Sequence, residues 1–196
     1  MAFIDAIPEH EAGPELAALY EADRCGKGYV ANHTRAFSHR PRVLQAWQEL
    51  NAAVRAGMDG RRYELATVAA ARRLRSSYCT VAHGKVLLEE FVDAEHLCDI
   101  VSDHRSAGLD AVDVAVMDLA DKVAADATTV EQADVDRLKD LGCTDADVLD
   151  VILAAAARSF FSKVLDATGS LPDVAYHALG RDLLATLTVG RPVEQA

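Results

Sequence analysis

One stretch of the chain decides its fold class: residues 64–83 read ELATVAAARRLRSSYCTVAH. Its first half is rich in alanine and predicts a helix over about 61–74, whose small side chains would let neighbouring helices approach closely. Ser76 and Ser77 then provide an N-cap for a second helix over about 78–91. The stretch therefore predicts two consecutive helices, the first of them in a central position.

The helical pattern continues towards both ends of the chain. Leucine, alanine and charged residues dominate, and β-branched residues occur singly and not in alternating runs, so the expected fold class is all-α. Thr129 with Gln132 has the spacing of a capping box, Thr144 caps a long helix, and Gly169 closes that helix. The residues from Cys25 to Gly28 predict a flexible break. Further helices are predicted over about 14–23, 41–57, 94–103, 110–126, 133–141 and 144–167, with a final segment over 172–187.

The length and composition predict one domain over residues 1–196. We expect a hairpin that carries the chemistry over about 41–91 and a second, structural half over about 110–187. The second half contains another alanine-rich helix, in which residues 149–156 read LDVILAAA. This similarity suggests a degenerate internal repeat, although two unrelated alanine-rich helices would look the same.

The charge and the cysteine content argue against several classes of function. Twenty Lys and Arg against 31 Asp and Glu give a net charge of −11 at pH 7, so we expect no binding to nucleic acid or to a membrane surface. No apolar run approaches the ~20 residues that a membrane helix requires, and the first residues do not resemble a signal peptide. The four cysteines are scattered, which predicts free thiols in a reducing cytoplasm.

Cys79 and His83 are the residues best suited to chemistry. Four positions apart on a helix, thiol and imidazole share one face about one turn (~5–6 Å) apart. Cys79 falls in the first turn after the cap, where the helix dipole and free N–H groups stabilise the thiolate of a nucleophile. If the two helices pack antiparallel, Glu64 reaches His83 and fixes its tautomer. The alternative is a buried structural thiol, a hydrogen-bonded core histidine and a solvated glutamate.

These residues resemble the signature of the alkylhydroperoxidase D (AhpD)-like, carboxymuconolactone decarboxylase superfamily. In that signature a Glu precedes a Cys-x-x-Cys pair by twelve residues, and a His follows the second Cys by four. Glu64, Ser76, Cys79 and His83 have these spacings. The resemblance implies an AhpD-like helical fold built around an antiparallel helical hairpin. It also implies a homo-oligomer (dimer, trimer or hexamer) and requires neither a metal nor an organic cofactor.

The resemblance extends over about residues 3–187. The segment 29–47, with Tyr29, His39 and Trp47, is similar to the peroxidase-related branch of the superfamily, and the helix over 144–169 is similar to its C-terminal half. The likeness therefore covers nearly the whole chain.

The resemblance implies an alkylhydroperoxidase-like oxidoreductase. Cys79 would attack a hydroperoxide, His83 would move the proton, and Glu64 would orient His83. Ser76 and Tyr78 would support them. The implied partners are the hydroperoxide substrate and an external thiol or thioredoxin-like reductant.

Ser76 departs from the signature, which has its first cysteine at this position. A serine can cap the helix or hydrogen-bond the thiolate, but it cannot resolve a sulfenic acid, so oxidised Cys79 needs another thiol. Cys25, in the glycine-flanked break, is the candidate for an internal partner. Three alternatives follow: a non-catalytic redox sensor or oligomeric module, a decarboxylase-like relative, and a Zn²⁺ site made of Cys79, His83 and Glu64.

Two histidines and two basic clusters are weaker candidates. His33 and His39 flank a segment that resembles the superfamily's loop near the site, so contact with substrate is predicted beside a surface or capping role. The arginines at 61–62 and 72–75 are predicted to pair with the abundant carboxylates and not to form a phosphate site.

Overall fold

The computed structural model describes residues 2–195, and this part of the chain contains ten α-helices and no strand. The prediction of an all-α fold is therefore confirmed. Short 3-10 turns cover Glu9–Glu11, Ala127–Thr129 and Val174–Leu179. The helices are α1 (Pro14–Lys27), α2 (Asn32–Ala36), α3 (Pro41–Gly57), α4 (Gly60–Arg73), α5 (Ser77–Glu90), α6 (Ala94–Asp103), α7 (Ala111–Asp126), α8 (Gln132–Asp140), α9 (Asp145–Thr168) and α10 (Arg181–Leu187).

Helix α4 lies at the centre of the fold, as its sequence predicts. Every residue from Tyr63 to Ala71 is buried, whereas a surface helix buries only one stripe. Helices α5, α7 and α9 pack around it. The alanines of α4 occupy little volume, so these three neighbours approach its backbone closely. Within residues 2–195, none of the helices combines the length and apolarity needed to cross a membrane.

Helices α4 and α5 form a hairpin whose short link has an unusual backbone. Arg75 has a φ of 57°, and it is the one non-glycine residue of the described chain in the left-handed region. The C-terminal segment lies directly against this link: Gly190 donates a hydrogen bond to Ser77 Oγ at 2.7 Å, and a Cβ on Gly190 would collide with the Arg75 carbonyl. The link at Arg75 and the chain at Gly190 therefore both fix the position of the first turn of α5.

Two local predictions are wrong. Helix α1 continues through Gly26 to Lys27 and ends at Gly28, whose φ is 83°. A single glycine costs a helix only about 1 kcal/mol, and the left-handed cap at Gly28 lies beyond it. The capping box before α8 uses Glu131 and Asp134, while Thr129 belongs to the preceding 3-10 turn.

Two other local predictions are confirmed. Thr144 caps α9 in a reciprocal box with Asp147, and Gly169 ends α9 with a φ of 75°. Helix α2, by contrast, has no counterpart among the predicted helices. The alanine-rich helices α4 and α9 pack against each other. The internal repeat stays a prediction.

Candidate functional site

Cys79 is the third residue of α5 and lies in its first turn, where backbone N–H groups have no partner within the helix. Its side chain is 1% exposed and belongs to an apolar cluster with Phe37, Tyr78 and Phe161. The sulfur is thus enclosed by aromatic and aliphatic groups, in a setting that excludes water.

Arg158 of α9 is the cation closest to this sulfur. Its Nη1 donates to Cys79 Sγ at 3.6 Å, and the residue is 2% exposed. The guanidinium lies 5.5 Å from the ring centre of Trp47 and 5.7 Å from that of Phe161. Its Nε has no hydrogen-bond partner among residues 2–195. Arg158 therefore places a positive charge directly against the sulfur of Cys79.

His83 and Glu64 meet across the hairpin, as antiparallel packing predicts. His83 Nδ1 and Glu64 Oε2 are 2.6 Å apart, and the two side chains are 16% and 2% exposed. With Nδ1–H donated to the carboxylate, Nε2 is the nitrogen with a free lone pair. Glu64 therefore fixes the tautomer of His83, one helical turn beyond Cys79.

The electrostatic surroundings keep His83 neutral. Burial, followed by the positive charge of Arg158, lowers the pKa of His83 to about 4. The carboxylate of Glu64 acts in the opposite direction and is outweighed. At pH 7 the ring is a base with a vacant Nε2 and not a cation.

Tyr78 joins α5, the helix that carries Cys79, to α2 and to the short segment that follows α9. Its hydroxyl donates to Asp173 Oδ2, and the backbone N–H of His33 donates to the same hydroxyl at 3.2 Å. The ring nitrogen Nδ1 of His33 lies 3.0 Å from it. Burial raises the pKa of Asp173 and lowers that of His33 to about 4. His33 also packs edge-on against Phe161 at 5.9 Å, so it borders the Cys79 cluster.

The other predicted residues lie elsewhere or act differently. His39 is exposed, and its Nε2 is 2.8 Å from the Asp5 carbonyl, so it holds the N-terminal segment. Ser76 is the N-cap residue of α5, but its hydroxyl makes no capping hydrogen bond and is buried without a partner among residues 2–195. Cys25 lies in the last turn of α1, not in a flexible break, and its exposed thiol donates to Glu21 at 3.4 Å.

The site lacks the features of a metal centre. Within the described residues, no cluster of three or more His, Cys, Asp or Glu side chains could hold a metal ion. Arg158 also donates a hydrogen bond to the sulfur that a Zn²⁺ ion would have to bind, and its positive charge would repel that ion. The arrangement instead suits a thiolate beside a neutral base.

Arg158 and Asp173 are the two site residues that sequence reasoning missed. Arg158 is 79 residues from Cys79 in the chain, and Asp173 is 95 residues from Tyr78. Neither contact has a local spacing. The one available signal is an arginine within the apolar, alanine-rich stretch of α9, where a charge is buried only with a partner.

Comparison with known proteins identifies the fold. No family model matches the chain, and neither does any curated protein sequence. Among solved structures, an AhpD-core, peroxidase-related protein from Ralstonia eutropha JMP134 has a TM-score of 0.80 and 20% identity, over 97% of this chain and 98% of that chain. A peroxidase-related protein from Silicibacter sp. TM1040 has a TM-score of 0.77 and 24% identity, over 88% and 94%. The debrominase Bmp8 has a TM-score of 0.75 and 12% identity, over 94% and 97%. The chain therefore has the AhpD-like helical fold.

Proposed function

We propose that this chain is an AhpD-like superfamily member that reduces hydroperoxides with Cys79. The observation that carries the proposal is the buried Cys79 thiol, which accepts a hydrogen bond from Arg158 at 3.6 Å. The neutral base His83, with Nδ1 held 2.6 Å from Glu64, follows one helical turn later. The peroxidase-related neighbours of the same fold support this choice of reaction.

The oxidation step begins with transfer of the Cys79 proton to His83 Nε2. The thiolate attacks the terminal oxygen of the hydroperoxide, so an S–O bond forms and the O–O bond breaks. The electron pair of that bond leaves with the alkoxide, which takes the proton from His83 and departs as an alcohol. Cys79 becomes a sulfenic acid and has lost two electrons.

Each neighbour of Cys79 has a separate role in this step. Arg158 stabilises the thiolate before the attack. Glu64 holds His83 in the tautomer that accepts a proton at Nε2, and it stabilises the imidazolium that forms briefly. Because His83 has a pKa of about 4, it returns that proton readily to the leaving alkoxide.

Reduction requires thiols from outside the hairpin. Ser76 stands where a resolving cysteine would be, so a first external thiol attacks the sulfenic sulfur and releases water. A second thiol attacks the mixed disulfide and restores Cys79. Since Cys79 is 1% exposed, both partners reach it only after the side chains of the aromatic cluster, Phe37 and Phe161, move aside.

The test is hydroperoxide consumption with a dithiol reductant, combined with trapping of sulfenic acid. We expect multiple turnovers in the wild type and none in Cys79→Ser. Cys98→Ser is the matched control, because Cys98 is a partly buried thiol outside the site. Full activity in Cys79→Ser would refute the proposal.

A redox sensor is the second candidate, favoured by Ser76 and by the burial of Cys79. A sensor would form the sulfenic acid once per chain and would not turn over with any dithiol. Trapped sulfenic acid at Cys79 without turnover would therefore replace the peroxidase by the sensor.

A further inference from the structure

A cleft of about 410 Å³ lies between the C-terminal ends of α4 and α6. Four arginines line it, Arg72, Arg73, Arg75 and Arg105, in a chain whose net charge is −11. The carboxylates Asp103 and Asp121 also belong to its wall. The cleft is therefore a basic site on an acidic protein.

Two of the four arginines are already neutralised. Arg73 makes two hydrogen bonds to Asp121, the one from Nε at 2.9 Å, and Arg105 pairs with Asp118 at 2.7 Å. For these two, the prediction of carboxylate partners is confirmed. Asp103 accepts a hydrogen bond from the hydroxyl of Ser106 at 2.8 Å, which orients its carboxylate but leaves one negative charge in the wall of the cleft.

The other two, Arg72 and Arg75, have no carboxylate partner within 4.0 Å among residues 2–195. Backbone carbonyls hold them instead: Arg72 Nη2 donates to Ser102 at 3.2 Å, and Arg75 Nε donates to Val189 at 3.3 Å. The Nε of Arg72 is buried and has no acceptor in the described chain. A carbonyl fixes a guanidinium without cancelling its charge, so both cations remain available to an anion.

The backbone that presents Arg75 is also fixed. Its left-handed conformation and the close approach of Gly190 to its carbonyl leave the link little freedom. Burial lowers the pKa of Arg72, and the carboxylates of Asp121 and Asp103 offset part of this effect from a distance. A site ordered before binding loses less entropy when its ligand arrives.

We propose that this cleft binds a small molecule through a phosphate group, held between Arg72 and Arg75. The planar guanidinium fork matches two phosphate oxygens, and Arg72 and Arg75 both line the cleft without a carboxylate partner. The volume of about 410 Å³ exceeds that of a bare phosphate ion and leaves room for an organic part. This binding is independent of the peroxidase proposal.

The test is calorimetric titration of the full chain with inorganic phosphate and, separately, with glycerol phosphate, in chloride buffer of equal ionic strength. We expect saturable binding and at least about a tenfold loss of affinity in Arg75→Gln, since a charge-assisted hydrogen bond contributes about 1.5–3 kcal/mol. Arg72→Gln should have the same effect. Tighter binding of glycerol phosphate would assign a phosphate monoester, and equal binding would assign free phosphate.

The control is Arg42→Gln, which removes the same charge from an exposed pair with Glu15 elsewhere on the surface. Arg75 is exposed, so its substitution leaves the core intact even if Arg72→Gln lowers stability. The proposal is overturned if neither probe binds above the chloride background. It is also overturned if Arg42→Gln weakens binding as much as Arg75→Gln does.

Discussion

At the residue scale, the reactivity of Cys79 depends on a charge contributed by a distant part of the chain. The first turn of α5 offers backbone N–H groups, and a helix terminus contributes up to about 2 kcal/mol in a partly buried geometry. Arg158 is 2% exposed and lies 3.6 Å from the sulfur, where solvent screens its field little. Both groups favour negative charge at the sulfur, and Arg158 adds a full formal charge to the partial charges of the N–H groups.

The first residue-scale prediction concerns Arg158→Met, which keeps an unbranched side chain and removes the charge. We expect alkylation of Cys79 by iodoacetamide at pH 7 to slow by about tenfold or more, because the variant removes a charge-assisted hydrogen bond to the reacting sulfur, which contributes about 1.5–3 kcal/mol. The rate constant is measured by mass spectrometry of the Cys79 peptide. Arg42→Met is the surface control, and an unchanged rate in Arg158→Met would remove Arg158 from the mechanism.

The second residue-scale prediction concerns pH. The pKa values of His33 and His83 are lowered by burial to about 4 in the fold, against about 6.5 in the unfolded chain. Between pH 6.5 and 4 the unfolded state binds more protons, so the free energy of unfolding falls as the pH falls, by up to about 3 kcal/mol for each histidine.

Urea unfolding across this pH range checks the effect. The variants His33→Gln and His83→Gln should each lose less stability than the wild type between pH 6.5 and 4, because one proton no longer binds on unfolding. The carboxylates remote from the two histidines have the same surroundings in all three proteins, so their contributions cancel in the comparison. Parallel curves for wild type and variants would contradict the lowered pKa values.

The sequence predicts the local part of the site but not its long-range contacts. Cys79 and His83 are one turn apart on any helix, and Glu64 follows once the hairpin forms. Arg158 reaches Cys79 only because α9 packs against α5. Asp173 reaches Tyr78 only because the chain after α9 returns to α5. Neither packing is encoded in a spacing within one helix.

At the element scale, the position of α5 depends on a close approach by α10. Gly84 faces Leu187, and a Cβ at this position would lie 2.7 Å from Leu187 Cδ2. Leu187 is fully buried, so its side chain has little space in which to move. Gly84 thus allows α10 to cover the middle of the helix that carries Cys79 and His83.

We predict that Gly84→Ala lowers the free energy of unfolding by about 1 kcal/mol. The gain in helix propensity is about 1 kcal/mol, but overpacking a filled core costs typically 1–3 kcal/mol. Gly26→Ala in α1 is the matched control, since nothing lies within 4 Å of its Cβ, and it should stabilise the protein. Denaturant unfolding of both variants measures the difference, and equal stabilisation in the two would show that Leu187 yields.

The sequence predicts the long helices best, and it predicts short helices and helix caps worst. The boundaries predicted for α3 and α7, about 41–57 and 110–126, agree with the structure to within one residue. Helix α2 has five residues, too few for a periodic pattern, and it is held by tertiary contacts such as the bond from the Asn32 amide to Asp173 Oδ1 at 2.7 Å. The capping box of α8 was misplaced because two acidic residues, not Thr129 and Gln132, make it.

At the scale of the whole molecule, one face is more apolar than a monomer requires. Helices α3 and α9 pack side by side, and five large apolar side chains on them are between 39% and 53% exposed. They are Val43 and Leu50 of α3, and Leu149, Leu153 and Phe160 of α9. Their spacings of four and seven residues place them on one side of each helix. Exposed apolar side chains gathered on two neighbouring helices are typical of a protein interface.

We expect the homo-oligomer that the resemblance implies to form through this face. Light scattering after size-exclusion chromatography should give a multiple of the monomer mass for the wild type. Leu153→Asp with Phe160→Asp should give the monomer, because burying two unpaired carboxylates opposes association. Leu141→Asp is the control: Leu141 is also 39% exposed but follows α8, so its substitution should leave the mass unchanged. A monomeric wild type would contradict the expectation that this face is an oligomer interface.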